Sequence, residues 1–240
     1  MDKLRLRVIS LRYSSWSMRP WLMLTHAGAT FETETVEVEL GRQKPAAVDD
    51  QLEANGKHEL AKRRGLGSVT GLFPVLYVND APIHESLAIA EWVNEAFPAA
   101  QLFPADRLER AQARAISAEM ASNFTQLRTH LSCHLFGRVP NFQPTAATQL
   151  EIMRVFELWQ DALDRSGGPF LFGHFGIADA MYFPVRTRFR TYGVAIPDRL
   201  APYVQALDAL PAVKALEAFA SGEPRIPVYD DYLRGLGGEP

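Results

Sequence analysis

Short segments that alternate apolar and polar residues characterise the first 97 positions, which is the period of a half-buried strand. Between them lie stretches with apolar residues at helical spacing. The pattern predicts strands at 4–11, 31–40, 75–78 and 82–84 and helices at 16–26, 46–64 and 86–97. This βαβαββα order is typical of one mixed sheet with helices packed on it.

Helical periodicity replaces the strand pattern beyond a proline-bounded stretch at 98–106. We expect helices over 107–135, 148–165, 177–191 and 200–220. The chain is therefore predicted to be α/β plus all-α, with a first domain at 1–97, a linker at 98–106 and an all-helical domain at 107–240.

Composition excludes several classes of protein. A hydrophobic content of 47% with 22% charged residues is ordinary for a folded protein, and a net charge of −3 gives no indication of nucleic acid binding. A single cysteine, Cys133, excludes an intramolecular disulfide or a redox pair and favours a reducing compartment such as the cytoplasm. No apolar run approaches the roughly 20 residues of a membrane span.

The segment 71–92 predicts a pocket for a small peptide. Pro74 removes a backbone donor, so it belongs at a strand start, and it is a candidate for a cis bond that presents the backbone of Phe73 outward. A helix beginning near Ser86 offers free N–H groups to a carboxylate.

Serines precede the first predicted helix. Ser14, Ser15 and Ser17 are suited to helix capping, the usual role of serines before a helix, and a hydroxyl at a helix N-terminus can also stabilise the thiolate of another molecule. A thiol with a pKa of about 8.5 needs about 2.7 kcal/mol to lower that pKa by two units, which one charge-assisted hydrogen bond and a helix dipole supply together. The serines alone favour the capping role.

Three segments together resemble the cytosolic glutathione transferases. The stretch Phe73-Pro74-Val75-Leu76, with Glu85-Ser86 after it, is similar to the glutathione-binding pattern V-P-x-L…E/Q-S-x-A-I. Residues 14–19 resemble the serine-type, zeta-like pattern S-S-x-S-x-R, and residues 176–179 resemble the buried S/T-I-A-D capping motif with glycine in first place. The order and spacing match over nearly the whole chain.

The resemblance implies a thioredoxin-like first domain, a helical second domain and a homodimer that uses glutathione as co-substrate. It implies Ser14 as the catalytic residue and a glutathione site formed by Ser15, Phe73, Pro74, Glu85 and Ser86. We expect Met120 and Phe124 to line the pocket for a small electrophile, and one of several basic residues to hold the glycine carboxylate of glutathione: Lys57, His58, Lys62, Arg63 or Arg64.

Two alternatives stay open. The shared S-S-x-S-x-R pattern also fits a zeta-like, glutathione-dependent cis–trans isomerase, although Trp16 stands where that class has cysteine. A non-catalytic binding protein that keeps the fold is the second.

Other polar clusters carry less chemistry. His130, Cys133 and His134 lack a fourth ligand, so we expect packing and no metal site. Three arginines at 186, 188 and 190 are expected to serve the packing or surface of their helix.

Overall fold

The computed structural model describes residues 2–37 and 60–240 of the chain. Its sheet has four strands in the order β2-β1-β3-β4. Strand β1 runs parallel to β2 and antiparallel to β3, which in turn runs antiparallel to β4. The strands are β1 (Leu4–Val8), β2 (Phe31–Thr35), β3 (Val75–Val78) and β4 (Ala81–His84). All four predicted strands are present, although β1 and β2 are shorter than expected.

The helices of the N-terminal part follow the predicted order. They are α1 (Ser15–His26), a stretch that is helical over 60–65, and α2 (Ser86–Ala96). Helix α1 buries Met18, Leu22 and Met23 in the hydrophobic core. The rest of the predicted helix at 46–64, and the end of the predicted strand at 31–40, lie outside the described residues.

Seven further helices form the C-terminal part of the described chain. They are α3 (Arg107–Ser122), α4 (Thr125–His130), α5 (Ala146–Ser166), α6 (Ile177–Thr191), α7 (Ala201–Ala209), α8 (Pro211–Ser221) and α9 (Pro227–Gly235). The sheet with its helices and the helical second part confirm the predicted fold class.

The prediction of one helix over 107–135 was wrong. The chain breaks at Asn123, which is extended, and at Phe124, whose φ is 59°. Helix α4 then starts afresh because the carboxylate of Glu151 on α5 accepts the N–H groups of Gln126 and Leu127 at 3.2 and 2.7 Å. That partner is distant in sequence, so helical periodicity does not reveal it.

The helix predicted over 200–220 is also two helices. Pro211 stands at the first position of α8, where its missing N–H costs nothing, and Leu210 before it is extended. Helix α9 was not predicted at all.

Helix α6 runs through the core and starts at a tight approach of two backbones. The N–H of Ile177 donates to the carbonyl of Leu102 at 2.9 Å, and a Cβ on Gly176 would lie 2.6 Å from that same oxygen. This contact explains why glycine replaces the serine or threonine of the resembled motif. Asp179 supplies the other half of the cap, because it accepts the N–H of Gly176 at 2.9 Å.

Within the described part of the chain, no helix combines the length and apolar character needed to cross a membrane.

Candidate active site

Two adjoining cavities lie where the N-terminal and helical parts of the chain meet. One, of about 520 Å³, is lined by Pro74, Glu85 and Ser86, and we call it the Ser86 cavity. The other, of about 270 Å³, is lined by Ser14 and Ser15, and we call it the Ser14 cavity. Both share four lining residues: Trp16, Leu72, Phe73 and Arg128.

Ser14 is the N-cap of α1, and its hydroxyl is set up as a donor. Its Oγ accepts the Ser17 N–H at 3.3 Å and the Ser17 hydroxyl at 2.9 Å. A hydroxyl oxygen has two lone pairs and one proton. Because Ser17 occupies the acceptor capacity, the proton of Ser14 is the part left to hydrogen-bond a group in the Ser14 cavity.

Ser15 is buried in the same cavity beside a positive charge. Its Oγ accepts a hydrogen bond from Nη2 of Arg188 at 3.4 Å. The predicted pair of serines therefore separates into Ser14, which faces its own helix start, and Ser15, which faces α6.

The Phe73–Pro74 bond is cis, as expected, and β3 begins at the next residue. Both side chains are buried. Among the described residues, the backbone N–H and C=O of Phe73 have no hydrogen-bond partner. A backbone donor and acceptor on the wall of both cavities are therefore open to a bound peptide unit.

Glu85 and Ser86 lie at the start of α2. Glu85 has a φ of 69°, a conformation that favours glycine, and it is exposed. It occupies the N-cap position without a side-chain cap, so its carboxylate is not used by the helix. The hydroxyl of Ser86 is buried and makes one long contact of 3.5 Å to the carbonyl of Trp16. Both side chains thus keep capacity for a ligand.

Comparison with known families identifies the family of this chain. Residues 13–96 match the model of the glutathione S-transferase N-terminal domain. Residues 105–216 match the model of the C-terminal domain of the same family. The chain belongs to the glutathione S-transferase family.

Solved structures of this family share the fold. A glutathione transferase homologue from Burkholderia GL BGR1 with bound glutathione is 24% identical, with a TM-score of 0.66 over 92% of this chain and 100% of that one. A tau class glutathione S-transferase from mango, Mangifera indica, is 24% identical, with a TM-score of 0.62 over 91% and 96%. A maleylacetoacetate isomerase from Anaeromyxobacter dehalogenans is 23% identical, with a TM-score of 0.63 over 95% and 96%. A search of curated proteins gives no match.

The residues predicted for the second substrate are not at the cavities. Met120 and Phe124 are 1% and 4% exposed, belong to the hydrophobic core and line neither cavity. The same stretch of chain instead contributes Ala121 and Arg128. The stretch predicted to line the second-substrate pocket therefore contributes to the Ser86 cavity through side chains other than the predicted pair.

The basic residues expected near the glycine carboxylate fall in different places. Lys57 and His58 lie outside the described residues, whereas Arg63 lines the Ser14 cavity. Arg64 donates its Nε to the carbonyl of Val69 at 2.9 Å. Of the group, Arg63 is the described residue that reaches a cavity.

The C-terminal segment closes one wall of the site, which the sequence did not indicate. The ring of Tyr229 on α9 lines the Ser14 cavity and stacks on Tyr13 with centroids 5.0 Å apart. The Tyr13 hydroxyl donates to buried Asp230 at 2.7 Å, and the same carboxylate accepts from Nε2 of His134 at 3.1 Å. Both Tyr13 and His134 are thus bonded to Asp230, and these bonds hold α9 against the loop before Ser14.

The remaining candidates for a metal site have structural partners. Nδ1 of His130 lies 2.7 Å from the hydroxyl of Thr148, and Cys133 is buried with its sulfur 3.9 Å from that of Met18. No group of three metal-binding side chains occurs among the described residues. Burial raises the pKa of the Cys133 thiol, which disfavours its thiolate form.

Proposed function

We propose that this protein is a glutathione S-transferase that binds glutathione between Ser14, Phe73, Glu85 and Ser86 and adds its thiolate to a small electrophile. The observation that carries the proposal is the convergence of these residues, from three separate segments of the chain, on two cavities that share Phe73 and Trp16. Each of them also retains a free donor or acceptor for a ligand.

Activation of the thiol is the role we assign to Ser14. With both lone pairs engaged by Ser17, its O–H donates to the sulfur and favours the thiolate over the thiol. A hydrogen bond to a charged group contributes about 1.5–3 kcal/mol, which corresponds to about one to two pKa units. The N-terminal end of α1 adds a smaller favourable field.

Recognition of glutathione uses groups of both signs. The carboxylate of Glu85 is the acceptor for the γ-glutamyl ammonium, and Ser86 with the start of α2 supplies donors for the neighbouring carboxylate. The open N–H and C=O of Phe73 pair with the backbone of the cysteinyl unit, as an added strand would.

The reaction forms one carbon–sulfur bond. The thiol proton passes to solvent when glutathione binds, and the thiolate then attacks the electrophilic carbon. The electron pair of the bond that breaks leaves with the displaced group, or, for an activated alkene, becomes a carbanion that takes a proton from water.

A glutathione-dependent isomerisation is a second candidate, favoured by the adjacent Ser14 and Ser15 in one cavity. In that case the thiolate adds to a double bond, rotation follows, and the thiolate leaves again. Glutathione is then not consumed, so the stoichiometry of thiol loss against product separates the two reactions.

Calorimetric binding of glutathione tests the proposal. We expect wild type to bind and Ser86→Ala to bind about tenfold more weakly, because one donor to a carboxylate is lost. Ser122→Ala is the matched control, since that serine is exposed and bonds only to the carbonyl of Ala118. Binding by wild type without turnover of any electrophile would favour a non-catalytic binding protein, and no binding would overturn the proposal.

We also propose that the protein is a homodimer acting in a reducing compartment such as the cytoplasm. The loop beside the site exposes Val69 and Leu72 at 66% and 58%, an apolar area suited to a second copy. Sedimentation of wild type and of Val69→Lys, a position that lines neither cavity, would show a dimer and its weakening. A monomer at all concentrations would contradict this part.

A further inference from the structure

Three arginine side chains from three helices gather at Ser15 and Trp16. The guanidinium carbon of Arg19 lies 4.1 Å from the ring centroid of Trp16, and that of Arg128 lies 4.9 Å from it. Arg188 reaches the Ser14 cavity from α6 and donates to Ser15. Arg128 lines both cavities.

Such a grouping of like charges is costly. Burial and the charges of Arg188 and Arg128 lower the pKa of Arg19 to about 9, and its Nη1 is buried without a hydrogen-bond partner. Burial and the charge of Arg188 also lower the pKa of Arg128. Among the described residues that line the Ser14 cavity, none is acidic.

The other two arginines of this part of α6 are neutralised by ion pairs, as buried arginines usually are. On α6, Arg186 forms an ion pair with Asp208, and Arg190 forms one with Glu217 at 3.2 Å. Arg188 between them instead donates to the carbonyls of Arg128 and Leu131 and to Ser15.

The partners of Arg128 are also uncharged. It donates to the carbonyls of Ala121 and Asn123, at 3.2 and 3.5 Å. The nearby carboxylate of Glu151 is already bonded to the N–H groups that begin α4.

We propose that Arg128 and Arg188 form a subsite for a carboxylate of the second substrate, so that the electrophile of this enzyme is an anion with a planar apolar body. The inference rests on the proposed glutathione reaction and adds the class of substrate to it. Guanidinium groups match a carboxylate through paired N–H donors, and the partly exposed Trp16, which lines both cavities, offers apolar surface to the body of the substrate. An anion bound here also offsets the repulsion among the three arginines.

A stable conjugate tests the subsite without requiring turnover. S-(4-carboxy-2-nitrophenyl)glutathione and its aryl methyl ester differ by one charge, and both carry the whole of glutathione. Calorimetry gives the affinity of each, and of glutathione alone, for wild type and for Arg128→Met. Arg154→Met is the matched control, since Arg154 is half-exposed, pairs with Glu119 and lines neither cavity.

We expect the acid to bind wild type about 10- to 100-fold more tightly than the ester, as a desolvated charged hydrogen bond predicts. Arg128→Met should remove most of that advantage and weaken the binding of glutathione alone by much less, and Arg154→Met should change nothing. Arg188→Lys, which keeps the charge, provides a second variant should the methionine change disturb folding, and we expect it to lose part of the advantage.

Three results would count against the proposal in different ways. Equal binding of acid and ester by wild type overturns the anionic subsite while the glutathione site stands. An equal loss for glutathione and the conjugate in Arg128→Met would mean that the arginine holds a carboxylate of glutathione itself, which also overturns it. Failure of wild type to bind glutathione would refute the proposed function as well.

Discussion

Replacing Asp179 by alanine measures how the start of α6 is held in the core. One carboxylate oxygen accepts the N–H of Leu171 at 3.1 Å and the other accepts that of Gly176 at 2.9 Å, and both bonds are buried. Alanine leaves the two donors without acceptors, and each such buried group costs about 1–3 kcal/mol. We therefore expect Asp179→Ala to lose about 4 kcal/mol, a large share of the roughly 5–15 kcal/mol typical of a folded domain.

Asparagine provides the graded comparison. It keeps one acceptor oxygen at position 179, so Asp179→Asn should lose about half as much as alanine does. Urea unfolding at about pH 5 measures both, with Asp161→Ala as control because Asp161 is exposed on α5. The reasoning fails if alanine and asparagine cost the same, or if alanine costs less than about 1 kcal/mol.

The pH dependence of unfolding follows from the same carboxyl group. Burial raises the pKa of Asp179 to about 7, against 3.8 in the unfolded chain. The folded state therefore holds the proton more tightly, so its contribution to stability falls as pH rises toward 7 and is constant beyond. Between about pH 5 and about pH 8, the free energy of unfolding of wild type should fall by about 3 kcal/mol relative to that of Asp179→Asn. Parallel pH profiles for the two proteins would refute this.

Three further changes test the packing around the site. Gly176→Ser should lower stability by about 1–3 kcal/mol despite adding a cap, because its Cβ meets a backbone oxygen at 2.6 Å; a higher melting temperature would be contrary to this. Burial lowers the pKa of His134, whose Nδ1 accepts the N–H of Gly137 at 2.8 Å, so stability should fall as pH drops below about 6.5. In NMR titration the pKa of the His134 ring should lie below that of an unfolded peptide, and an ordinary pKa in the folded state would contradict this. Glu223→Ala removes the acceptor of two backbone N–H groups just before Ser14, at 2.7 and 3.0 Å, and should speed proteolysis of the C-terminal segment; unchanged cleavage would contradict that.

The local part of the site could be predicted from the sequence because each feature depends on adjacent residues. Ser14 precedes its helix, the Phe73–Pro74 bond is set by the proline, and Glu85 with Ser86 opens α2. The same holds for most helices and strands, because the spacing of their apolar residues is visible within a short stretch of sequence.

Features that depend on distant partners could not be predicted in this way. Arg128 and Arg188 come from different helices and meet at the Ser14 cavity only in the folded chain. In the sequence, Arg188 looks no different from the neighbouring arginines that form ion pairs. The break at Phe124 depends on Glu151, which lies on α5. Pro211 indicated in the sequence where α7 ends. The single helix over 200–220 was predicted because helical periodicity continues across that proline.

The pKa of the thiol of bound glutathione, followed by its ultraviolet thiolate absorption, tests the central claim most directly. From about 8.5 in free solution, we expect wild type to lower it by about two units, and Ser14→Ala to return one to two of them. Ser122→Ala should behave as wild type. A bound thiol that titrates like free glutathione in wild type, or equally low in Ser14→Ala, would contradict the assignment of Ser14 as the activating residue.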